Sequence, residues 1–142
     1  MNISAKTEYA CIAVLELAAR YGQGKPVRIR DIAEANGIPS RFLVQILLQL
    51  KSAGIVGSTR GASGGYQLVK PPSEITLAEV MAVSDGQSSD PVTSVVQQSA
   101  ASRTLMASWQ NVAAVEREML GSVTFSDLVD RAAEQMENMY YI

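Results

Sequence analysis

The sequence predicts a mostly α-helical fold carrying one small β-hairpin, and three observations lead there. Apolar residues recur at i, i+3, i+4 and i+7 along several segments, the period of a helix with one buried face. Ile55-Val56 and Tyr66-Gln67-Leu68-Val69 look like the arms of a hairpin whose tip is Arg60-Gly61-Ala62-Ser63-Gly64-Gly65. Two successive helices, the second beginning at Ser40, are joined by a tight turn at Gly37. A helix pair followed by a ribbon describes a winged helix-turn-helix with a small β-hairpin wing, to which a long further helix is added.

The first helix is expected from the N-cap Ser4 to about Tyr21, with Ala10, Ala13, Val14, Leu17, Ala18 and Tyr21 as its apolar stripe. Tyr21 to Pro26 is turn-rich, and Val27 to Ile29 reads as a short extended piece. Arg30 to Asn36 is a short helix with Ile32 and Ala33 inward, ended by Gly37. The next helix buries Leu43, Ile46, Leu47 and Leu50 and stops at Gly54 in a left-handed cap. Its other face carries Ser40, Arg41, Val44, Gln45 and Gln49, short side chains or ones bearing amides and a guanidinium that suit a nucleic-acid groove.

After the hairpin, Pro71-Pro72 stops the strand. Thr76 to Glu79 forms a capping box, with Ile75 and Val80 as its hydrophobic staple, opening a helix to about Val83 that Asp85-Gly86 ends. Gln87 to Ser99 is polar and Ser-rich, a linker or mobile loop. Ala100 to Leu120 is a long helix with Leu105, Trp109, Val112, Val115 and Met119 on one broad face. Met106, Ala113 and Leu120 lie at seven-residue spacing on another. A helix apolar on two sides needs two surfaces to pack on, its own body and a second subunit. Leu105, Met106, Trp109, Val112, Ala113 and Leu120 are therefore candidate dimerisation residues. Thr124 to Asp127 repeats the capping logic, with Val123 and Leu128 as a staple, and Phe125, Leu128, Val129, Ala132, Met136 and Met139 continue the last helix. The expected division is residues 1–86 as the winged helix-turn-helix and 87–142 as loop, long pairing helix and C-terminal helix.

Composition narrows the function classes. The chain has 142 residues, enough for a real core, and a net charge of −2 that hides a division. Residues 1–70 hold nine Lys/Arg against four Asp/Glu, a net +5, whereas residues 71–142 hold three against ten, a net −7. A basic first half is an electrostatic footprint for phosphates, and an acidic second half should face away from them. No apolar run approaches the ~20 residues that span a bilayer, and the N-terminus lacks a signal-peptide pattern, so a cytoplasmic protein is expected. The single cysteine, Cys11, excludes an intrachain disulfide and suits a reducing compartment. Beside the apolar stripe it reads as a buried, inert thiol. There is no histidine, so Ser63 between glycines has no imidazole to activate it, and the chain is not expected to be an enzyme.

Nearly the whole chain resembles the bacterial iron–sulfur-cluster regulator and nitric-oxide-sensitive repressor family (IscR, NsrR, CymR). The matching residues run through Tyr9-Ala10, Ile32-Ala33-Glu34, Gly37-Ile38, Phe42 to Leu47, Leu50 to Gly54, Arg60 to Tyr66, Ile75-Thr76-Leu77 and Val123 to Leu128. The resemblance implies a dimeric winged-helix transcription factor, paired through the long helix, with Arg41, Val44 and Gln45 at base-facing positions and Arg60 on the wing. Elementary chemistry agrees. Gln pairs with adenine N6/N7, Arg with guanine O6/N7, and a wing Arg suits a narrow minor groove. Val44 departs from the Glu common in the family, exchanging an acceptor for cytosine N4 for a thymine-methyl contact. Arg28, Ser40, Arg41, Val44, Gln45, Gln49, Arg60, Gly61 and Ser63 make up the candidate DNA-binding set. Cluster-binding members carry three cysteines in the stretch matching Gln87–Leu105, and this chain has none there. Glu8 matches an acidic position that ligates iron in some relatives, but it lacks cysteine partners. One thiol and no imidazole cannot hold an ordinary cluster, so no metal or cofactor is expected.

The reading is a homodimeric regulator, a repressor of double-stranded DNA sites arranged as an imperfect palindrome. The other reading is a winged-helix protein-interaction module controlled by a partner protein. A small-molecule or protein effector is left open, and a small pocket lined by the loop Gln87–Ser99 and the seam between Trp109, Tyr9 and the last helix is one expectation for its seat.

Overall fold

The computed structural model describes residues 1–86 and 90–140. The first helix, α1 (Ala5–Ala19), opens where Ser4 Oγ accepts the Thr7 N–H at 3.1 Å. It buries Thr7, Ala10, Ala13, Val14, Leu17 and Ala18. Its end falls two residues before the expected Tyr21. The chain turns off at Arg20 through glycines at positive φ, so Tyr21 points outward at 46% exposure instead of joining the stripe.

α2 (Ile29–Asn36) follows, and its Gly37 cap is left-handed at φ 65, with the Ile38 N–H on the Ala33 carbonyl at 3.0 Å. α3 (Ser40–Ser52) buries the expected Leu43, Ile46, Leu47 and Leu50. It closes in a Schellman motif. The Ile55 N–H reaches the Leu50 carbonyl and the Gly54 N–H the Lys51 carbonyl, each at 3.0 Å, with Gly54 at φ 80. Leu50 and Ile55 both lie in the core, so this turn delivers the chain straight into the hairpin.

The wing strands are β1 (Val56–Thr59) and β2 (Gly65–Leu68), antiparallel with Val56 opposite Leu68 and Thr59 opposite Gly65. They sit nearer the tip than the expected arms because Gly64 N–H closes onto the Gly61 carbonyl at 3.0 Å. Ile55 and Val69 keep a single bond at 3.1 Å below the ladder. Val27 exchanges two bonds of 2.8 Å with Tyr66, so the extended piece before α2 becomes a third rung on the wing.

A 3₁₀ turn, Pro72–Glu74, leads into α4 (Leu77–Asp85). Thr76 Oγ1 accepts the Glu79 N–H at 3.2 Å, but the Glu79 carboxylate pairs with Lys70 instead of returning to Thr76, so only half the box forms. α4 runs past Val83 to Asp85, whose carboxylate accepts from the hydroxyls of Ser4 and Thr7, tying the end of α4 to the start of α1. Thr7 is almost fully buried and its hydroxyl also meets Ser84 Oγ at 2.8 Å, so every part of this buried polar group has a partner.

α5 (Ala100–Ser122) starts with a capping box between Ser99 and Ser102 at 2.9 and 3.1 Å, and α6 (Phe125–Tyr140) with one between Thr124 and Asp127 at 3.1 and 3.2 Å. Hydrogen bonds from the Thr124 backbone and then its hydroxyl hold the Asp127 carboxyl below its ordinary value. The Phe125 N–H bonds the Ile75 carbonyl at 2.9 Å, and Leu77 N–H the Val123 carbonyl at 3.0 Å, so the starts of α4 and α6 are stitched together. Phe125 is wholly buried and belongs to the one hydrophobic cluster that also takes in Leu17, Ile32, Leu43, Ile55 and Val80. α5 adds no buried residue to this core. Of the expected loop, residues 87–89 lie outside the described residues. Residues 90–99 lie back along α5 through Asp90–Arg117 and a bond of 3.4 Å from Gln110 Nε2 to the Pro91 carbonyl. No helix among the described residues is long and apolar enough to cross a membrane.

Candidate nucleic-acid interface

α3 divides cleanly into two stripes. One is buried in the core, and the opposite one presents Ser40, Arg41, Val44 and Gln45 to solvent, with Gln49 half-buried toward α4. The geometry follows from period alone: Leu43, Ile46, Leu47 and Leu50 fix the rotation of the helix, and the polar residues fall on the far side. Arg41 lies over the Phe42 ring at 5.0 Å, and Phe42 stands 6.1 Å from Tyr9 between ring centroids. This stack orients the guanidinium without neutralising it.

The wing tip carries the other group. Arg60, Gly61 and Ser63 are exposed, Gly61 at φ 106, while Gly64 is buried inside the turn. A Cβ on Gly64 would overlap the Thr59 carbonyl oxygen, and one on Gly65 would stand 2.5 Å from the Val27 carbonyl oxygen, so both positions demand glycine. Arg28, at the start of α2, does not stand free. Its Nη2 donates to the Ala62 carbonyl in the tip. Lys51 Nζ likewise donates to Ser58 Oγ at 2.7 Å, joining α3 to β1. The structure thus brings Arg28, Arg60, Gly61 and Ser63 together around one tip.

The charge pattern is uneven. Arg20, Lys70 and Arg117 each pair with a carboxylate, whereas Arg28, Arg41 and Arg60 make no ion pair among the described residues. Leu48, which the sequence reading passed over, stands on the outward stripe at 48% exposure. Its i+7 spacing from Arg41 was the available signal.

On α5 the structure separates the two expected sets. Leu105, Trp109 and Val112 are more than half exposed, as are Val115 and Met119, while Met106, Ala113 and Leu120 are half-buried, Leu120 beside α4 and Met106 beside Thr93 and Gln98. Among the described residues, Trp109 and Tyr9 do not face each other across the expected pocket, and residues 87–89 of its expected lining lie outside the described residues. Tyr9 turns to Phe42 and Trp109 faces outward. The cleft beside α5 is lined instead by Ala78, Met81 and Ala82 of α4 with Glu116 and Leu120, and measures about 600 Å³. Cys11 is half-buried, and burial first, then the charge of Asp85, pushes its thiol up from 9.0 to about 11.

A helix-turn-helix whose second helix shows an uncompensated guanidinium and amides, with a glycine-closed hairpin beside it, defines a winged-helix DNA-binding regulator of transcription. The chain belongs to the Rrf2 family, described as iron-dependent transcriptional regulators, which it matches over residues 3–131. It is similar to the HTH-type transcriptional regulator CymR of Bacillus subtilis, at 36% identity covering 100% of both chains. The IscR regulator of Photorhabdus laumondii is 42% identical over 57% of this chain and 49% of its own. Among solved structures, CymR of B. subtilis, described as its global cysteine regulator, superposes with a TM-score of 0.81 at 33% identity, covering 92% of this chain and 98% of that one. IscR of T. potens gives 0.76 at 30% identity, covering 95% and 90%. These relatives are transcriptional regulators, not enzymes.

Proposed function

We propose that the protein is a cytoplasmic, homodimeric transcription repressor that reads an imperfect palindrome in duplex DNA without an iron–sulfur cluster. The observation that carries this reading is the outward stripe of α3, where Arg41 and Gln45 are exposed and uncompensated directly opposite the buried stripe. Gln45 would pair with adenine and Arg41 with guanine in the major groove, with Ser40 and Gln49 flanking them and Arg60, beside Gly61 and Ser63, entering the minor groove.

Pairing is supported by α5. A helix of 23 residues with none buried shows Leu105, Trp109, Val112, Val115 and Met119 to solvent, a clustered apolar face of the kind that marks a protein–protein contact. A second copy of the same helix covers it, with residues 1–86 left to the duplex and, within 87–142, the long helix α5 to pairing. Absence of a cluster rests on the donor set: one cysteine, held as a thiol by burial, and no histidine. An effector seated in the cleft between α4 and α5 would act where the reading body meets the pairing helix.

The test is enrichment from a random duplex pool together with sedimentation of the free protein. A palindrome with half-sites about 34–36 Å apart and a dimeric species support the reading. No enrichment at low salt returns the protein-interaction module in its place. Anaerobically purified protein with stoichiometric iron and sulfide would overturn the cluster-free part.

A further inference from the structure

The outward stripe of α3 is not uniformly polar. Arg41, Val44, Gln45 and Leu48 follow one another at i, i+3, i+4 and i+7, and two of the four are aliphatic. Val44 is 44% and Leu48 is 48% exposed, one helical turn apart on the stripe that also carries Gln45. Neither has a donor or an acceptor, so neither can be satisfied by the polar edge of a base. The core gives them no work either, because Leu43, Ile46, Leu47 and Leu50 fill the inward side of the same helix.

The major groove offers one apolar group on its floor, the C5-methyl of thymine. We infer that Val44 and Leu48 form an aliphatic reader for a pair of thymine methyls, interleaved with the hydrogen-bonding positions Arg41 and Gln45. The inference rests on the DNA-reading role proposed for α3. It adds the chemistry the site selects: thymines at two positions in each half-site, beside the purines addressed by Gln45 and Arg41. Four residues of helix rise about 6 Å, close to two base steps of 3.4 Å, so the two methyls stand about two steps apart. Charge argues for the groove over a protein surface as the occupant. The aliphatic pair shares its stripe with the unpaired Arg41, in the half of the chain whose net charge is +5.

Deoxyuridine tests this directly, since it pairs like thymine and lacks only the methyl. The full chain is used to enrich an operator, and each thymine is then replaced singly by deoxyuridine, with affinity read by fluorescence anisotropy at one fixed salt. Two positions per half-site, about two steps apart, are expected to lose affinity about three- to fivefold each, the scale of one buried methyl group. Val44→Ala is expected to flatten the response at one of them and Leu48→Ala at the other, both without changing the slope of affinity against salt. Because both side chains are exposed, circular dichroism should confirm that each variant folds. If every deoxyuridine duplex binds like its parent, or if the alanine variants keep the same pattern of losses, the aliphatic reader is wrong while the DNA-reading role stands. If no operator is enriched at low salt, the DNA-reading role falls and this inference with it. If Leu48→Ala instead abolishes capture of a protein and leaves DNA binding intact, the stripe is a protein contact.

Discussion

The guanidinium of Arg28 donates to the carbonyl oxygen of Ala62, joining the residue that opens α2 to the tip of the wing 34 positions later. Val27, one residue earlier, is already paired with Tyr66 on β2. These two ties fasten the start of α2 to the wing, and on the DNA-reading role proposed above Arg28 acts by positioning the tip that carries Arg60. Arg28→Ala should weaken operator binding by about tenfold, close to the lower edge of the ~1.5–3 kcal/mol of a hydrogen bond to a charged group. In a double-mutant cycle with Arg60→Ala the two losses should overlap instead of adding, because removing the tip arginine leaves Arg28 nothing to position. Full additivity, with a drop of about one in the salt slope for Arg28→Ala, would make Arg28 a direct phosphate contact.

Gly64→Ala tests the tip itself. The new methyl would overlap the Thr59 carbonyl oxygen and crowd Gly61, both backbone, so no side chain can swing away. We expect a stability loss of about 1–3 kcal/mol, the usual cost of forcing an atom into a filled site, seen as a lower denaturation midpoint with an unchanged slope. Gly61→Ala should cost less in packing, since a Cβ there meets nothing, but its φ of 106 still penalises any side chain.

Val112→Glu addresses pairing. Val112 is 64% exposed on α5, so a carboxylate there costs the single chain little. Across a two-fold seam it would bring like charges into an apolar contact. Sedimentation is expected to show a monomer with unchanged helicity, and operator affinity should fall by far more than any single base contact explains. An unchanged dimer would move the interface off this face.

How much of this was legible beforehand depends on how local the signal is. The buried stripe of α3 and its Gly54 stop are written in a few adjacent residues, because period and a left-handed cap need no tertiary information. The tie between Arg28 and Ala62 is not, since nothing near Arg28 says that a loop 34 residues on will fold back over it. Trp109 shows the same limit from the other side. Its spacing places it on an apolar face, but whether that face meets the body or solvent depends on the angle at which α4 and the residue 90–99 segment hold α5. The Ser99–Ser102 box escaped notice because a serine at the third helical position is a weaker signal than the Glu or Gln usual there. Tyr21 fitted the helical period yet fell outside the helix, where the glycines at 22 and 24 decide the path.

Cys11 should behave as a quiet thiol. Burial, then the nearby Asp85 charge, raises its pKa from 9.0 to about 11, so the folded state favours the protonated form. The stabilisation linked to this shift is fully present below pH 9 and is lost as pH rises through 11, the reverse of a carboxylate held low by hydrogen bonds. At pH 8 the thiolate fraction is about 100-fold smaller than for an unperturbed cysteine, and only the thiolate attacks an alkylating agent. Iodoacetamide should therefore label the native protein at least about 100-fold more slowly than the urea-unfolded chain at pH 8. Asp85→Asn should speed native labelling modestly by removing the smaller of the two causes, its amide oxygen keeping an acceptor for one of the two hydroxyls that Ser4 and Thr7 present. Native labelling as fast as in urea would show an open, ionised thiol and restore Cys11 as a candidate redox sensor.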